Sequence, residues 1–358
     1  MKKTKVLHVS ETFVAGVYTY IKGVCNFSNQ FEDIETFVIF SDKREYSNRN
    51  EFDKDFPSKV NLIEIDLNKE ISPTEDFKGV RRIYKEIKKI KPDVIHLHSS
   101  KSSILGRIAS IAHPQARIYY TPHGYAFIRE DISSLKKNVF KFIEKGIVKI
   151  FHGVTIACGD MEYEIAKQFS HAELVRNGVD VPQIKKYYKP HENLRLKVGI
   201  VGRITEARNP VFFNQIALKF PDFDFVWIGD GTLRDKITAG NIKITGWLTS
   251  NEDVYRELNK IDVYLQTSLW EGLPMAILEA MALKIPVIAT NVIGNKDIVV
   301  QDETGFLFEK IEELDAYFSI LKIKENRTRM GEQGLKRCEN SFDTNKNLYK
   351  LISIYRNQ

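Results

Sequence analysis

The chain has 358 residues, a mass of 41.4 kDa, 43% hydrophobic and 28% charged residues. That suits two globular domains of roughly 150–200 residues and excludes a disordered chain, a collagen-like repeat or a small disulfide scaffold. The net charge of +6 is mild, and three widely spaced cysteines (Cys25, Cys158, Cys338) fit a reducing compartment better than a disulfide frame or zinc cluster.

No apolar run approaches the roughly 20 residues that cross a bilayer. The start, Met1 to Ser10, has positive charges but no long apolar stretch behind them, which argues against a signal peptide and for a cytoplasmic protein. Short β-rich runs then alternate with helical patterns. The first half predicts strands at 5–10, 34–40, 61–65, 93–97, 118–121, 154–157 and 173–175, with helices at 17–27, 73–90, 102–112, 133–150 and 160–169. The stretch 181–194 is polar, contains Pro182 and Pro190, and has no clear period. Strands at 197–201, 223–228, 242–244, 263–266, 287–290 and 306–308 resume the rhythm, and the last 30 or so residues read as helices. Alternation of this kind predicts parallel sheets covered on both faces. The expected division is a first Rossmann-like domain over 1–183, a linker over 184–194, a second over 195–340, and a terminal helix over 341–358 packing back on the first domain.

Architecture does not give function, so the motifs must. A dinucleotide fingerprint is missing: one glycine, Gly16, follows the first strand, and Gly229-Asp230-Gly231 lacks its third glycine. Asp222-Phe223-Asp224 follows Pro221 at the head of a strand and reads as a solvated turn, so no metal is assigned. The strongest constellation is Trp270-Glu271-Gly272-Leu273-Pro274, with Glu279 following Glu271 after seven intervening residues. Pro274 suits the first position of a helix whose free N–H groups could seat a phosphate, with a carboxylate on either side for hydroxyl groups. A strand ending in Gly202-Arg203 carries a second cation at Arg208, placed to grip phosphate oxygens. Gly231 and Gly246-Trp247 mark two more strand ends at the same edge.

In this order, the pieces resemble the glycosyltransferases of family 4, which have the GT-B fold: two Rossmann-like α/β domains facing across a cleft. Glu271 with Glu279, Gly202-Arg203 with Arg208, the turn at Gly231, Asn177-Gly178-Val179-Asp180 and Pro122-His123-Gly124-Tyr125 carry the likeness. It implies sugar transfer from a nucleotide diphosphate donor with retention of configuration and no metal. Arg203 and Arg208 would grip the diphosphate, Glu279 the ribose hydroxyls and Glu271 the donor sugar. His123 would face the sugar across the cleft, and Gly16 would lie in a loop near the diphosphate or acceptor. Gly202, Gly231, Trp247, Gly272, Leu273 and Pro274 complete the expected donor site, and His123, Glu271, Arg203 and Arg208 the catalytic set. Two departures stand out: Arg208 replaces the usual lysine, and Ala15-Gly16 replaces two glycines.

The resemblance further implies a uridine diphosphate donor, an N-acetylated hexose as the sugar, and a saccharide acceptor, free or polyprenyl-linked, in surface polysaccharide synthesis. Two helices point to the inner face of the cell membrane. The 73–90 helix gathers Lys78, Arg81, Arg82, Lys85, Lys88 and Lys89 on one arc, and the 133–150 helix spaces Lys137, Lys141, Lys145 and Lys149 along a stripe. Their apolar arcs are expected to face the core, and the lysines to meet anionic lipid. A GT-B nucleotide-sugar epimerase and a non-catalytic two-lobed ligand binder are the competing readings; the aromatic–basic interleaving of a nucleic-acid binder is lacking.

Overall fold

The computed structural model describes residues 3–13, 15–41, 55–67, 72–128 and 132–356. It divides into two units, one formed by 1–176 with 347–358 and the other by 177–346.

The first unit holds a seven-stranded parallel sheet: β1 (Thr4–Ser10), β2 (Ile34–Phe40), β3 (Asn61–Glu64), β4 (Val94–His98), β5 (Arg117–Thr121), β6 (Val154–Ala157) and β7 (His171–Leu174), in the order β3-β2-β1-β4-β5-β6-β7. The order reverses between β1 and β4, where an open α/β sheet leaves a crevice at its carboxyl edge. Period-two alternation sends Leu7, Val9, Ile95, Leu97 and Tyr120 into one core cluster. The register aligns His8 with His96, and His98 with Thr121, on the other face. The terminal helix Thr344–Arg356 supplies Leu348, Leu351, Ile352 and Tyr355 to the cluster there.

The second unit holds six parallel strands: β8 (Lys197–Val201), β9 (Asp224–Ile228), β10 (Ile242–Ile244), β11 (Val263–Gln266), β12 (Val287–Thr290) and β13 (Gly305–Phe308), in the order β10-β9-β8-β11-β12-β13. Its reversal lies between β8 and β11. The central strands are apolar almost throughout, as strands covered on both faces must be.

The expected boundaries shift. The chain enters the second unit at Asn177, not after a linker beginning at 184. Val181–Lys185 is a short helix capped by Asp180, whose side chain accepts from the Gln183 N–H at 3.0 Å. Residues 189–193 lie along the second unit, with Asn193 donating to the Asp262 carboxylate at 2.9 Å and Asn259 donating to the Lys189 carbonyl at 2.9 Å. Asn177-Gly178-Val179 also has a packing reason: Val179 bridges to Asp343, and a Cβ on Gly178 would lie 2.3 Å from the Phe342 carbonyl oxygen.

The helix Pro73–Ile90 buries Ile83, Ile87 and Ile90 as its periodicity predicts, although Phe77 is 71% exposed. The helix Ser134–Ile150 meets expectation only in part: Lys141, Lys145 and Lys149 are exposed and Phe140, Ile143 and Ile147 half-buried, but Leu135, Val139, Phe142 and Ile150 are also exposed, and its one buried residue is Glu144. Polar contacts hold its inner side. Ser100 and Tyr120 donate to the Glu144 carboxylate at 2.6 and 3.0 Å, and Arg107 donates to the carbonyls of Phe151 and His152 just past the helix end.

Candidate active site

A polar grouping of the second unit lies at the carboxyl edge of its sheet. β8 is followed by Gly202, in the left-handed region at φ 139°. A Cβ there would stand 3.1 Å from the Arg208 side chain, so glycine lets the guanidinium lie against the backbone. The following loop is tied by a hydrogen bond from the Thr267 hydroxyl to the Arg208 carbonyl at 2.7 Å and by Leu269 N–H to the Ala207 carbonyl at 2.9 Å. Asn209 then caps the helix Pro210–Lys219, accepting from the Phe212 N–H.

Arg208 and Glu271 are bound to each other. Arg208 Nη1 donates to Glu271 Oε1 at 2.5 Å, and the same oxygen accepts from Gln266 Nε2 and the Ser268 hydroxyl, each at 2.7 Å. Three donors on one oxygen fix the direction of the carboxylate. Arg203, on the same loop, is exposed. Half of the expected phosphate charge is therefore already balanced by a carboxylate, and Arg203 is the more open cation.

The helix behind Glu271 spans Met275–Ala282, with Pro274 as its cap, one position earlier than its expected place as the first helical residue. Gly272 is exposed, Leu273 packs partly against the core, and Glu279 is partly buried. Burial pushes the Glu279 carboxyl up to about 7, with the Arg208 charge opposing. Asp230 accepts from the Gly231 N–H at 2.8 Å and from Arg234 at 2.7 Å, and Trp247 is 62% exposed. Asp222-Phe223-Asp224 sits at the opposite, amino end of β9, where Arg195 pairs with Asp224 at 3.5 Å.

The first unit also gathers polar groups at its carboxyl edge. His123 follows β5 in a left-handed conformation, φ 54°, which is strained for a histidine. The next N–H, of Gly124, donates to Glu162 at 2.9 Å, and Glu162 also accepts from the Cys158 N–H at 2.7 Å. His123 Nε2 lies 3.1 Å from His98 Nδ1, and His98 Nε2 lies 3.0 Å from His8 Nδ1. His96 contacts the Tyr355 hydroxyl through Nδ1 and Thr121 through Nε2. Burial holds His123 and His8 down to about 3, so both rings are neutral near pH 7. His8, His96 and His98 each place a nitrogen within 4.8 Å of the others. Five of their six ring nitrogens are already in hydrogen bonds and only His8 Nε2 has no partner, which describes a hydrogen-bond network better than a metal cage.

Sequence reasoning missed several of these groups. Gln266 and Ser268 orient Glu271, and their only signal was polarity at the end of an apolar strand. Glu11, 8% exposed, accepts from the Ser99 and Ser102 hydroxyls at the β1–β4 reversal. Gly16 is not in a loop: it is the second residue of the helix Ala15–Ser28, exposed, with nothing within 4 Å of an added Cβ.

Comparison with known proteins shows the family. Residues 195–322 match the model for glycosyl transferases group 1, and residues 35–183 that for glycosyltransferase family 4. The chain is 31% identical over 321 residues, 81% of either protein, to the UDP-Gal:alpha-D-GlcNAc-diphosphoundecaprenol alpha-1,3-galactosyltransferase of Escherichia coli. It is 23% identical to the capsular polysaccharide biosynthesis glycosyltransferase CapM of Staphylococcus aureus, covering 99% of this chain and 97% of that one. Among solved structures, HepE of Anabaena in complex with UDP and glucose superposes with a TM-score of 0.77 at 15% identity, over 98% of this chain and 99% of that one. The chain belongs to glycosyltransferase family 4, with two Rossmann-like domains of the GT-B type. It is a glycosyltransferase, which decides against the epimerase and the ligand binder.

Proposed function

We propose that the enzyme moves a hexose from a uridine diphosphate donor to a polyprenyl-diphosphate-linked sugar, with retention of configuration, at the cytoplasmic face of the membrane during surface polysaccharide synthesis. The observation that carries this reading is the carboxyl edge of the second sheet. There Arg203 lies open on the loop that also carries Arg208, Arg208 is paired with Glu271 from the loop after β11, and Glu279 lies on the helix behind Glu271. The E. coli relative's name supplies the chemistry of donor and acceptor.

In this reading the bond between the anomeric carbon and the diphosphate oxygen breaks, leaving UDP and a sugar with oxocarbenium character. Arg203 and the remaining N–H groups of Arg208 stabilise the negative charge growing on the diphosphate. Glu279 accepts hydrogen bonds from the ribose hydroxyls, and Glu271, fixed by its three donors, accepts one from the sugar. The acceptor hydroxyl attacks on the face the diphosphate leaves, and a phosphate oxygen takes its proton, so no separate protein base is required. The two cations take the role of a divalent ion, and turnover should persist in EDTA.

Lipid contact belongs to the same proposal. The helix Ser134–Ile150 turns Leu135, Val139, Phe142 and Ile150 outward beside exposed Lys141, Lys145 and Lys149. That is the pattern of a helix lying in a bilayer interface. Among the described residues, no helix is long and apolar enough to cross a membrane.

The decisive assay supplies a lipid-linked N-acetylhexosamine diphosphate acceptor with UDP-galactose, UDP-glucose and their N-acetylated counterparts, with and without EDTA. The sequence-based expectation is an N-acetylated donor, and the relative's name points to galactose; the panel separates them. The anomeric coupling in the product reads the stereochemistry. An inverted product, or turnover that requires manganese, would overturn the reading.

A further inference from the structure

His123 does not stand alone. Its ring begins a line of three histidines, His123–His98–His8, joined by contacts of 3.1 and 3.0 Å. The strand pairing explains the line: His8 on β1 aligns with His96 on β4, and His98, two residues on, points to the same face. The rings stack as well, at 5.3 Å between His8 and His98 and 5.3 Å between His98 and His123, both at 24°. His8 and His98 are almost wholly enclosed, 1% and 0% exposed.

A neutral imidazole has one N–H and one bare nitrogen, so a line of three rings has two proton registers. In one, every Nδ1 carries the proton: His8 donates to His98, His98 donates to His123, and His8 Nε2 is a bare lone pair. In the other, every Nε2 carries it, and His8 Nε2–H is left buried. His8 Nε2 has no hydrogen-bond partner. Orphaned buried N–H groups are the rarer defect in proteins, so the first register prevails.

We infer that His98 and His8 are positioning residues that lock His123 as the neutral ring protonated on Nδ1, so that it offers a fixed N–H donor to the substrate. This rests on the reading that His123 meets the sugar. Without the line, His123 would divide between two tautomers, and only one could donate from Nδ1.

Long-range ¹H–¹⁵N spectra of the full-length enzyme labelled with ¹⁵N-histidine test the lock directly, because protonated and bare ring nitrogens differ widely in shift. All three Nδ1 atoms should be protonated at neutral pH. His98→Leu should leave His123 a mixture of tautomers and lower kcat about tenfold or more, as misplacing one hydrogen-bond donor does, with donor KM within about threefold. His98→Asn retains an N–H close to the place of Nδ1 and should restore the His123 tautomer and most of the lost turnover. A proton on His123 Nε2 in the wild-type spectrum would overturn the proposal. So would an unchanged tautomer in His98→Leu, or a stoichiometric metal ion on the histidines of the purified protein. If His98→Leu fails to fold, the wild-type spectrum decides. Normal turnover in His123→Ala would instead remove the substrate role of His123, with the spectrum still reporting on the line.

Discussion

Arg203 and Arg208 look alike in the sequence, but their surroundings separate them. Arg203 is exposed, so Arg203→Ala should lower kcat about a hundredfold or more through lost phosphate stabilisation, with the melting temperature nearly unchanged. Arg208→Ala should cost as much turnover and also stability, because it takes one of three donors from Glu271. Kinetics and thermal melts of the two variants check this; equal melting temperatures would argue against the pair. Glu279 adds a pH dependence. Burial raises its folded-state carboxyl to about 7, above the ordinary 4.5 of the unfolded chain. The stability tied to the neutral form is therefore fully present below about pH 4 and lost as pH rises through 7. Partial exposure limits the effect to about 1–2 kcal/mol. Glu279→Gln should match the wild type in stability near pH 4, melt higher at pH 8, and bind UDP more weakly. Parallel melting curves across that range would mean the carboxyl titrates normally.

Elements show where periodicity succeeds and where it misleads. The spacing of Ile83, Ile87 and Ile90 told both that the helix forms and which face is buried. In Ser134–Ile150 the spacing told that the helix forms and that Lys141, Lys145 and Lys149 face outward, but not that four apolar residues join them. Glu144, reached by Ser100 and Tyr120, turns inward, and Leu135 and Phe142, 75% and 78% exposed, turn outward. Hydrophobic spacing shows which residues share a side, whereas the side that faces the core depends on partners far along the chain. At an anionic surface each nearby lysine is worth about 1 kcal/mol, and a fully buried Phe or Leu about 1.5–3 kcal/mol. Vesicles with anionic lipid should therefore bind the protein in co-sedimentation. Phe142→Asp together with Leu135→Ser should abolish binding without loss of stability, since neither side chain is in the core. Reversing Lys141, Lys145 and Lys149 should weaken binding mainly at low salt. Retention of binding by the apolar double variant would place the lipid contact elsewhere.

At the scale of the whole chain, the donor should act as a stabiliser of the second unit. At a hundred times its dissociation constant UDP would add about 2.7 kcal/mol, a rise of roughly 5–10 °C for a unit of this size. Arg203→Ala should remove most of that rise; an unchanged rise would put the nucleotide at another site. The two-unit organisation was legible without coordinates, because alternating β and α runs admit few solutions and strand ends rich in glycine and charge mark a ligand edge. Glu271, Glu279, Arg203 and Arg208 could be named because loop–helix spacing is local. The ionic bond between Arg208 and Glu271 could not, since 63 residues separate them and only strand order brings β8 beside β11. The histidine line has the same cause. His8 and His98 are 90 residues apart, and the pairing of β1 with β4 alone sets their rings on one face. Periodicity and turn chemistry act over a few residues and so are written in the sequence. Pairings between distant charges and rings depend on register and strand order, which only the packed sheets decide.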